Sequence, residues 1–264
     1  NLLLWSEERK VFDTPNLREN VTGKGNDVNG DFLFWLRSGN DENTFYELYK
    51  TDGDTFERLS NPNFSLGWSH IGDIITLSNG TLISFFNTYG DVRSWGVVKS
   101  IDNGVTWTKH ITGSGLTKEQ CPVEISGVEV SDGCILAIGR QDQWSETMTQ
   151  HQIQSTDYGA TWSIHSTNIT DINSSTASVL LDKDTNTISV YYYRRGYGVL
   201  LVRKNLVSEV WNNPTNWNTS EVVAHASYST LDAGNVNAIE FNDKQVVTFY
   251  SGNEVECGIY AVVD

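Results

Sequence analysis

Ser100-Ile-Asp-Asn-Gly-Val-Thr-Trp107 and Ser155-Thr-Asp-Tyr-Gly-Ala-Thr-Trp162, which begin 55 residues apart, share the pattern S-x-D-x-G-x-T-W. A degraded copy, Thr51-Asp-Gly-Asp-Thr-Phe56, keeps the Asp, the Gly, the Thr and an aromatic residue. The Asp carboxylate can accept backbone N–H bonds across a hairpin turn, and the Gly supplies a positive φ. The repeat therefore predicts structural hairpins. We expect Asp102 and Asp157 at outer turns, with Trp107 and Trp162 packed inward and far from any ligand.

A second repeat consists of an apolar strand, a polar turn and another apolar strand. Its five copies are residues 27–35, 72–86, 127–139, 177–191 and 235–249. The turns are Ser-Asn-Gly, Asp-Gly or Asx-rich, which is typical of tight β-hairpins, and helical periodicity is nearly absent. Four strands in each of five units predict an all-β fold, a five-bladed β-propeller.

The propeller is expected to occupy residues 1–264 as a single domain. Its fifth unit is one strand short, so we expect residues 1–7 to be the outermost strand of that blade, with the ring closed by the N-terminal strand. Because the chain does not begin with Met, we also expect it to be processed or excised from a longer protein.

Composition narrows the range of partners. The chain has 18 Lys and Arg against 33 Asp and Glu, a net charge of -15. This charge repels phosphate backbones and anionic lipids, and no apolar stretch is long enough to span a bilayer. We therefore expect no nucleic-acid partner and no membrane insertion. The three cysteines have no CxxC or His-spaced companion, so no metal site and no cofactor are expected.

The repeated octapeptide is the Asp-box, and its arrangement resembles the sialidase superfamily over most of the chain. The resemblance implies the six-bladed sialidase pattern with one blade missing before His70. It also implies a site with three arginines on the substrate carboxylate, an aspartate acid/base and a tyrosine nucleophile activated by a glutamate. In that family a neutral tyrosine replaces the usual second carboxylate, because the anomeric centre of the substrate bears a carboxylate that would repel a negative nucleophile.

Several residues match this constellation by position. Glu124 and Arg140 are 16 residues apart with Ser-Asp-Gly at 131–133 between them, like the family's glutamate and second arginine. The remaining positions implied by the resemblance are Arg194 or Arg195 for the third arginine, Tyr228 for the nucleophile and Asp41 for the acid/base. The family's R-I-P tripeptide is absent, and the arginine nearest to its place is Arg18.

The same residues have a structural interpretation. Arg37, Arg140 and Arg194 each follow the second strand of their own repeat, where a charged side chain emerges at the propeller rim. This rim interpretation is favoured for Arg37, and the two interpretations are balanced for Glu124 with Arg140.

Three functions stay open, because one fold hosts many functions. The favoured one is a glycan-binding module without turnover; the others are a sialidase-like glycoside hydrolase and a scaffold with no ligand. The candidate residues for stacking on sugar rings, all assigned to polar loops, are Trp68, Trp95, Trp144 and Tyr197. We expect the sugar on the face where the first strands of the blades begin, near Glu124, Arg140, Arg194, Arg195 and Tyr228. The arginines there suit an acidic or phosphate-bearing glycan.

The opening Asn-Leu-Leu-Leu and the polar, Asn-rich segment after it resemble junctions in phage tail and receptor-binding proteins. This likeness implies host-glycan recognition during host attachment, an extracellular or virion-surface location, and a homo-oligomer within a larger fibre.

Overall fold

The computed structural model of the protein describes residues 20–39, 44–62, 64, 66–142, 148–172, 175–226, 233–252 and 257–263. In this part of the chain, 19 strands form five antiparallel sheets in sequence order. Blade 1 contains β1 (Asn20–Asn26), β2 (Phe32–Gly39), β3 (Thr44–Thr51) and β4 (Phe56–Ser60). Blade 2 contains β5 (Ser69–Thr76), β6 (Leu82–Thr88), β7 (Arg93–Ser100) and β8 (Thr108–Leu116). Blade 3 contains β9 (Val123–Ser131), β10 (Cys134–Arg140), β11 (His151–Ser155) and β12 (Ser163–Ser166).

Blade 4 contains β13 (Ala177–Asp182), β14 (Thr187–Arg194), β15 (Val199–Leu206) and β16 (Glu221–His225), with the short helix α1 (Val207–Asn212) after β15. Blade 5 contains β17 (Gly234–Phe241), β18 (Lys244–Gly252) and β19 (Cys257–Val263). No helix in the described ranges is long and apolar enough to cross a membrane. The first strands of all five blades line one axial cavity, and consecutive ones contact each other. The five-bladed propeller is thus confirmed, while the predicted closing strand, residues 1–7, lies outside the described residues.

The hydrophobic core is divided into four clusters, each filled by facing residues of two neighbouring blades. The strand β14 shows how alternation builds them, since successive side chains of a strand point to opposite faces. Tyr192 packs toward blade 3, whereas Tyr191 and Tyr193 pack toward blade 5. Blades 2, 3 and 4 each contribute to two of these clusters and are therefore buried on both faces, which explains why their second strands are continuous apolar runs.

The two Asp-boxes have nearly the same geometry in the structure. Asp102 Oδ1 accepts hydrogen bonds from Ser100 Oγ and from the Thr106 backbone N–H, both at 2.8 Å. Asp157 Oδ1 accepts the equivalent bonds from Ser155 and Thr161, again at 2.8 Å. Each box joins the third strand of its blade to the outer fourth strand, as the sequence predicts.

Each Asp-box tryptophan packs against the preceding blade. The ring centroid of Trp107 lies 4.9 Å from that of Trp35 in blade 1, and Trp162 lies 5.0 Å from Phe85 in blade 2. Both pairs are edge-to-face, a favourable aromatic geometry. Neither tryptophan is among the described residues that line the cavities at the propeller axis, so their predicted structural role is confirmed.

Glycine lets the first two inner strands approach closely at the axis. A Cβ added to Gly23 of β1 would lie 2.0 Å from the Gly72 carbonyl oxygen of β5, a distance that no side chain tolerates. Adjacent inner strands are also joined by side chains that accept backbone N–H groups. Lys24 donates to Asp73 Oδ1 at 3.2 Å, and Ala238 donates to Ser178 Oγ at 3.0 Å. These bonds satisfy donors that no strand ladder reaches.

Candidate functional site

Two adjoining cavities open on the face where the inner strands begin. The axial cavity has a volume of about 290 Å³, and its lining includes Asn20, His70, Glu124, Thr176 and Asn235, each at or next to the start of an inner strand. The rim cleft, of about 550 Å³, extends outward over blades 2 and 3. It is lined by Arg37, Trp68, Tyr89, Gly90, Asp91, Arg93, Lys118, Glu124, Arg140 and Asp142. Arg37, Tyr89 and Glu124 line both cavities, so the two form one continuous site.

Glu124 and Arg140 form an ion pair in the wall between the two cavities. Arg140 Nε donates to Glu124 Oε2, and Arg140 Nη2 donates to Glu124 Oε1 at 2.9 Å. Strand pairing explains the contact, because the start of β9 lies beside the end of β10 across a register shift. Side-chain exposure is 10% for Arg140 and 18% for Glu124. The pair is therefore largely withdrawn from water. In such a partly buried environment a two-pronged arginine–carboxylate contact is strong.

A second carboxylate extends this pair into a charge network. Arg140 Nη1 donates to Asp142 Oδ1 at 2.7 Å, and the other oxygen of Asp142 lies 2.7 Å from Arg93 Nη2. Arg93 is nearly buried, and its Nε donates to the Gly90 carbonyl at 3.0 Å. Two arginines thus face two carboxylates, and the network is formally neutral.

Glu124 adopts a backbone conformation that is rare for its residue type. Its φ is 50°, in the left-handed region, and its N–H donates to Asn87 Oδ1 at 2.9 Å. Such a conformation costs on the order of 1–3 kcal/mol and persists only where the surroundings impose it. Here the inter-blade bond to Asn87 and the ion pair with Arg140 both hold it.

The Tyr89 hydroxyl also contacts Glu124, donating to Oε1 at 3.0 Å. Burial alone would raise the pKa of the Glu124 carboxyl, but the charge and hydrogen bonds of Arg140 outweigh it and lower that pKa to about 2. Burial and the adjacent carboxylate raise the pKa of Tyr89 well above its ordinary value. At neutral pH the Glu124 carboxylate is therefore ionised and accepts a hydrogen bond from the protonated Tyr89 hydroxyl.

An aromatic platform forms one wall of the rim cleft. The Trp68 and Tyr89 ring centroids are 5.1 Å apart, and the Arg93 guanidinium carbon lies 5.7 Å from the centre of the Tyr89 ring. Trp68 is 45% exposed, in the loop that precedes β5. An exposed indole that is held from behind in an open cleft presents a flat apolar surface to a ligand.

Unpaired charges in the rim cleft are mainly positive. Within the described ranges, no carboxylate lies at salt-bridge distance from Arg37 or Lys118. Asp91, the remaining acidic residue of the lining, has no described cationic partner either. Because the arginine–carboxylate network is neutral, the described lining of the cleft carries a surplus of one positive charge in a chain of net charge -15. Such a surplus favours an anionic ligand.

The described residues contain no group of three or more His, Cys, Asp or Glu side chains that could hold a metal ion. Burial lowers the pKa of His70 in the axial cavity, so its imidazole is neutral at neutral pH. The described side chains of the site offer hydrogen bonds, an aromatic surface and charged groups to a ligand.

The structure brings together part of the predicted constellation. Glu124 contacts Arg140, as the family spacing implies. Arg194 instead lies beneath Tyr197, with its guanidinium carbon 3.7 Å from the ring centre, and Arg195 donates to the Ala233 carbonyl at 2.7 Å. Neither Arg194 nor Arg195 is among the described residues that line the two cavities. The predicted residues Arg18, Asp41, Trp144 and Tyr228 lie outside the described residues.

The loop placement predicted for the exposed aromatics holds for Trp68 and Tyr197 and is wrong for Trp95. Trp95 lies within β7 and is 2% exposed, in the core between blades 2 and 3. The polar Arg93 and Ser94 that precede it are also part of β7, and the pairing of β7 with β8 shifts register on each side of Trp95. Trp95 is therefore a core residue and not a sugar-stacking one.

Sequence reasoning missed Tyr89 and Asp142. Counted from the hairpin-turn glycines Gly80 and Gly133, Tyr89 and Asp142 hold the same position, just beyond the second strand of each repeat. This shared position is the sequence signal that marks both residues. The rim interpretation placed Arg37 correctly at a strand end, but the structure adds that it lines both cavities.

Comparison with known proteins identifies the fold. No family model and no curated protein matches the sequence. A Hadza microbial sialidase is 16% identical with a TM-score of 0.66, covering 92% of this chain and 52% of its own. Trypanosoma rangeli sialidase in complex with sialic acid is 14% identical with a TM-score of 0.64, covering 93% and 44%. A GH43 β-xylosidase/α-arabinofuranosidase from a compost metagenome, in complex with xylotriose, is 10% identical with a TM-score of 0.58, covering 92% and 90%.

The chain spans about half the length of these sialidases and most of the length of the xylosidase. Identities this low demonstrate a shared fold alone. The protein thus has the propeller fold of sialidases, as the Asp-boxes predict, whereas the likeness to phage tail proteins stays a prediction.

Proposed function

We propose that this propeller binds an acidic carbohydrate at the joined axial cavity and rim cleft, and that it does so without hydrolysing the sugar. The observation that carries the proposal is the exposed Trp68 ring, which packs against Tyr89 in a cleft also lined by Arg37, whose guanidinium has no carboxylate partner among the described residues. An indole can stack on the apolar face of a sugar, and a guanidinium can pair with its carboxylate.

The state of the charged groups supports binding without turnover. Glu124, with its pKa held at about 2, is too weak a base to take a proton from Tyr89, whose own pKa is raised. Arg140 already contacts two carboxylates, so its guanidinium is not free to hold a substrate carboxylate. The network thus supplies shape and rigidity, whereas recognition depends on Trp68 and Arg37.

A sialidase-like hydrolase is the second candidate, and one observation favours it. The Tyr89 hydroxyl lies 3.0 Å from Glu124 Oε1, a tyrosine–glutamate contact of the kind that the resemblance implies for a nucleophile and its activator. Deprotonation of Tyr89 would require a ligand that draws Arg140 away from Glu124. Hydrolysis of a fluorogenic sialoside that is lost in Tyr89→Phe would support this candidate over binding alone.

The direct test is calorimetric titration of acidic glycans identified on a glycan array. We expect Trp68→Ala and Arg37→Ala each to weaken binding about tenfold, which corresponds to about 1.4 kcal/mol. Lys109→Ala is the matched control for loss of a charge, because Lys109 bonds the Phe64 carbonyl and is not part of either cavity. Unchanged affinity in Trp68→Ala and Arg37→Ala would contradict the proposal, as would a parent protein that binds no glycan on the array.

We further propose that the glycan belongs to a host cell surface, and that the propeller is a receptor-recognition domain of a phage tail or similar oligomeric fibre outside the cell. The support is compositional, namely the polar, Asn-rich sequence and the strongly negative charge. Light scattering of the purified chain tests the oligomer. Binding to intact cells before and after removal of surface glycans tests the receptor role.

A further inference from the structure

We infer that the site has two subsites, and that the ligand is an oligosaccharide with one unit in the axial cavity and the next on Trp68. The inference rests on the proposed function, because it assumes that the ligand is a carbohydrate. Beyond the proposed function, the inference specifies that the ligand has at least two sugar units and that it extends from the propeller axis outward over blade 2.

The axial subsite is narrow and polar. Within the described part of the chain, the buried Oγ1 atoms of Thr22 and Thr176 have no hydrogen-bond partner, and both residues line this cavity. Unsatisfied buried hydroxyls are costly, so a ligand that supplies partners is favoured there. The hydroxyl groups of a sugar ring are such partners. The axial lining contains His70 and Tyr89 but not the exposed indole, so recognition here depends mainly on hydrogen bonds.

The outer subsite is wider and differs in chemistry. Trp68 belongs to the rim cleft and not to the axial lining, and it is 45% exposed. Lys118 and Asp91, both exposed, provide a donor and an acceptor around this platform. Stacking on an indole recognises the apolar face of a sugar ring and needs few directional bonds. This subsite is thus suited to a second sugar unit whose identity is less restricted.

The two subsites share three lining residues. Arg37, Tyr89 and Glu124 line both cavities, so a glycosidic linkage would cross between them at this point. The individual volumes, about 290 and 550 Å³, together fall within the range of roughly 300–1,000 Å³ that is typical of ligand pockets. A single sugar unit would occupy only the smaller cavity and leave the platform uncovered.

The test measures how affinity depends on ligand length. The probes are N-acetylneuraminic acid with its α2,8-linked dimer and trimer, and galacturonic acid with its dimer and trimer, each titrated by calorimetry. In one series or both, we expect the dimer to bind about tenfold more tightly than the monosaccharide, a gain of about 1.4 kcal/mol. Trp68→Ala should abolish that gain, because it should weaken binding of the dimer more than binding of the monosaccharide. Phe241→Ala is the control, because Phe241 is similarly exposed (47%) at the opposite end of an inner strand.

Equal affinity for monosaccharide and dimer would overturn the two-subsite inference while leaving the proposed function intact. Loss of monosaccharide binding in Trp68→Ala would also overturn it, because Trp68 would then belong to a single undivided site. If no member of either series bound, the inference would be wrong for acidic glycans, and the proposed function would fail with it.

Discussion

The ion pair between Glu124 and Arg140 provides the sharpest test of the energetics of the site. In Glu124→Gln, the shape of the side chain and one acceptor oxygen remain, but the charge facing the nearly buried Arg140 is lost. The native carboxyl has a pKa of about 2, against 4.5 for an unperturbed glutamate. By linkage, this difference corresponds to about 3 kcal/mol of stability at pH 7. The figure agrees with the 3–5 kcal/mol typical of breaking a buried pair by removing one partner.

The same linkage predicts how the penalty depends on pH. A carboxyl whose pKa is lowered on folding stabilises the native state above its unfolded pKa, and the contribution is lost as pH falls toward the folded pKa. Glu124 therefore contributes fully above about pH 5.5 and loses its contribution between there and pH 2. The difference between parent and Glu124→Gln should narrow from about 3 kcal/mol at pH 7 to about 1 kcal/mol at pH 3.

Urea unfolding followed by tryptophan fluorescence measures both values. Glu47→Gln is the matched control, because Glu47 pairs at 2.7 Å with an Arg58 side chain that is 56% exposed. Solvent screening limits such a surface pair to about 0–1 kcal/mol. A second arm uses Arg140→Met alone and with Glu124→Gln; we expect the double variant to be less destabilised than the sum of the single ones. The reasoning would be refuted by a penalty that is equal at pH 7 and pH 3, or no larger than that of Glu47→Gln.

Three further predictions concern the fold. Trp107→Ala should lower the free energy of unfolding in urea by about 2–3 kcal/mol, which is less than the loss for a fully buried tryptophan, because Trp107 is half-buried against Trp35. A loss near zero would contradict its structural role. Asp157→Asn should cost about 1–2 kcal/mol at pH 7, since hydrogen bonds from Thr161 help lower the Asp157 pKa to about 2 against the opposing effect of burial. This loss of stability should shrink as pH falls from about 4 to 2, and a loss that does not change with pH would refute the role of the ionised Asp157 carboxylate in the turn. Deletion of residues 1–7 should lower Tm by at least about 5 °C, corresponding to 2 kcal/mol or so in a domain of this size, and an unchanged Tm would disprove the predicted ring closure.

Much of the propeller could be predicted because its repeats are local. An Asp-box makes its hydrogen bonds within eight residues, and the Asp102 and Asp157 turns therefore have the same geometry in different blades. The pairing of Glu124 with Arg140 was also predictable, since it depends on two strands joined by one hairpin. The polar residues before Trp95 favour a loop, whereas the structure has Trp95 within β7 and in the core between blades 2 and 3, a contact between blades that the local sequence does not reveal.

What the sequence by itself determined is the architecture: five hairpin units, Asp-box turns, and two opposite apolar faces on each inner strand pair. These features depend on contacts between residues that are close in sequence, so periodicity and turn chemistry suffice to identify them. Only the tertiary structure decided the composition of the site. Tyr89 meets Glu124 and Arg93 meets Asp142 because neighbouring blades bring their strand ends together around the axis. Such contacts between blades depend on the ring geometry, and no local pattern in the sequence encodes them.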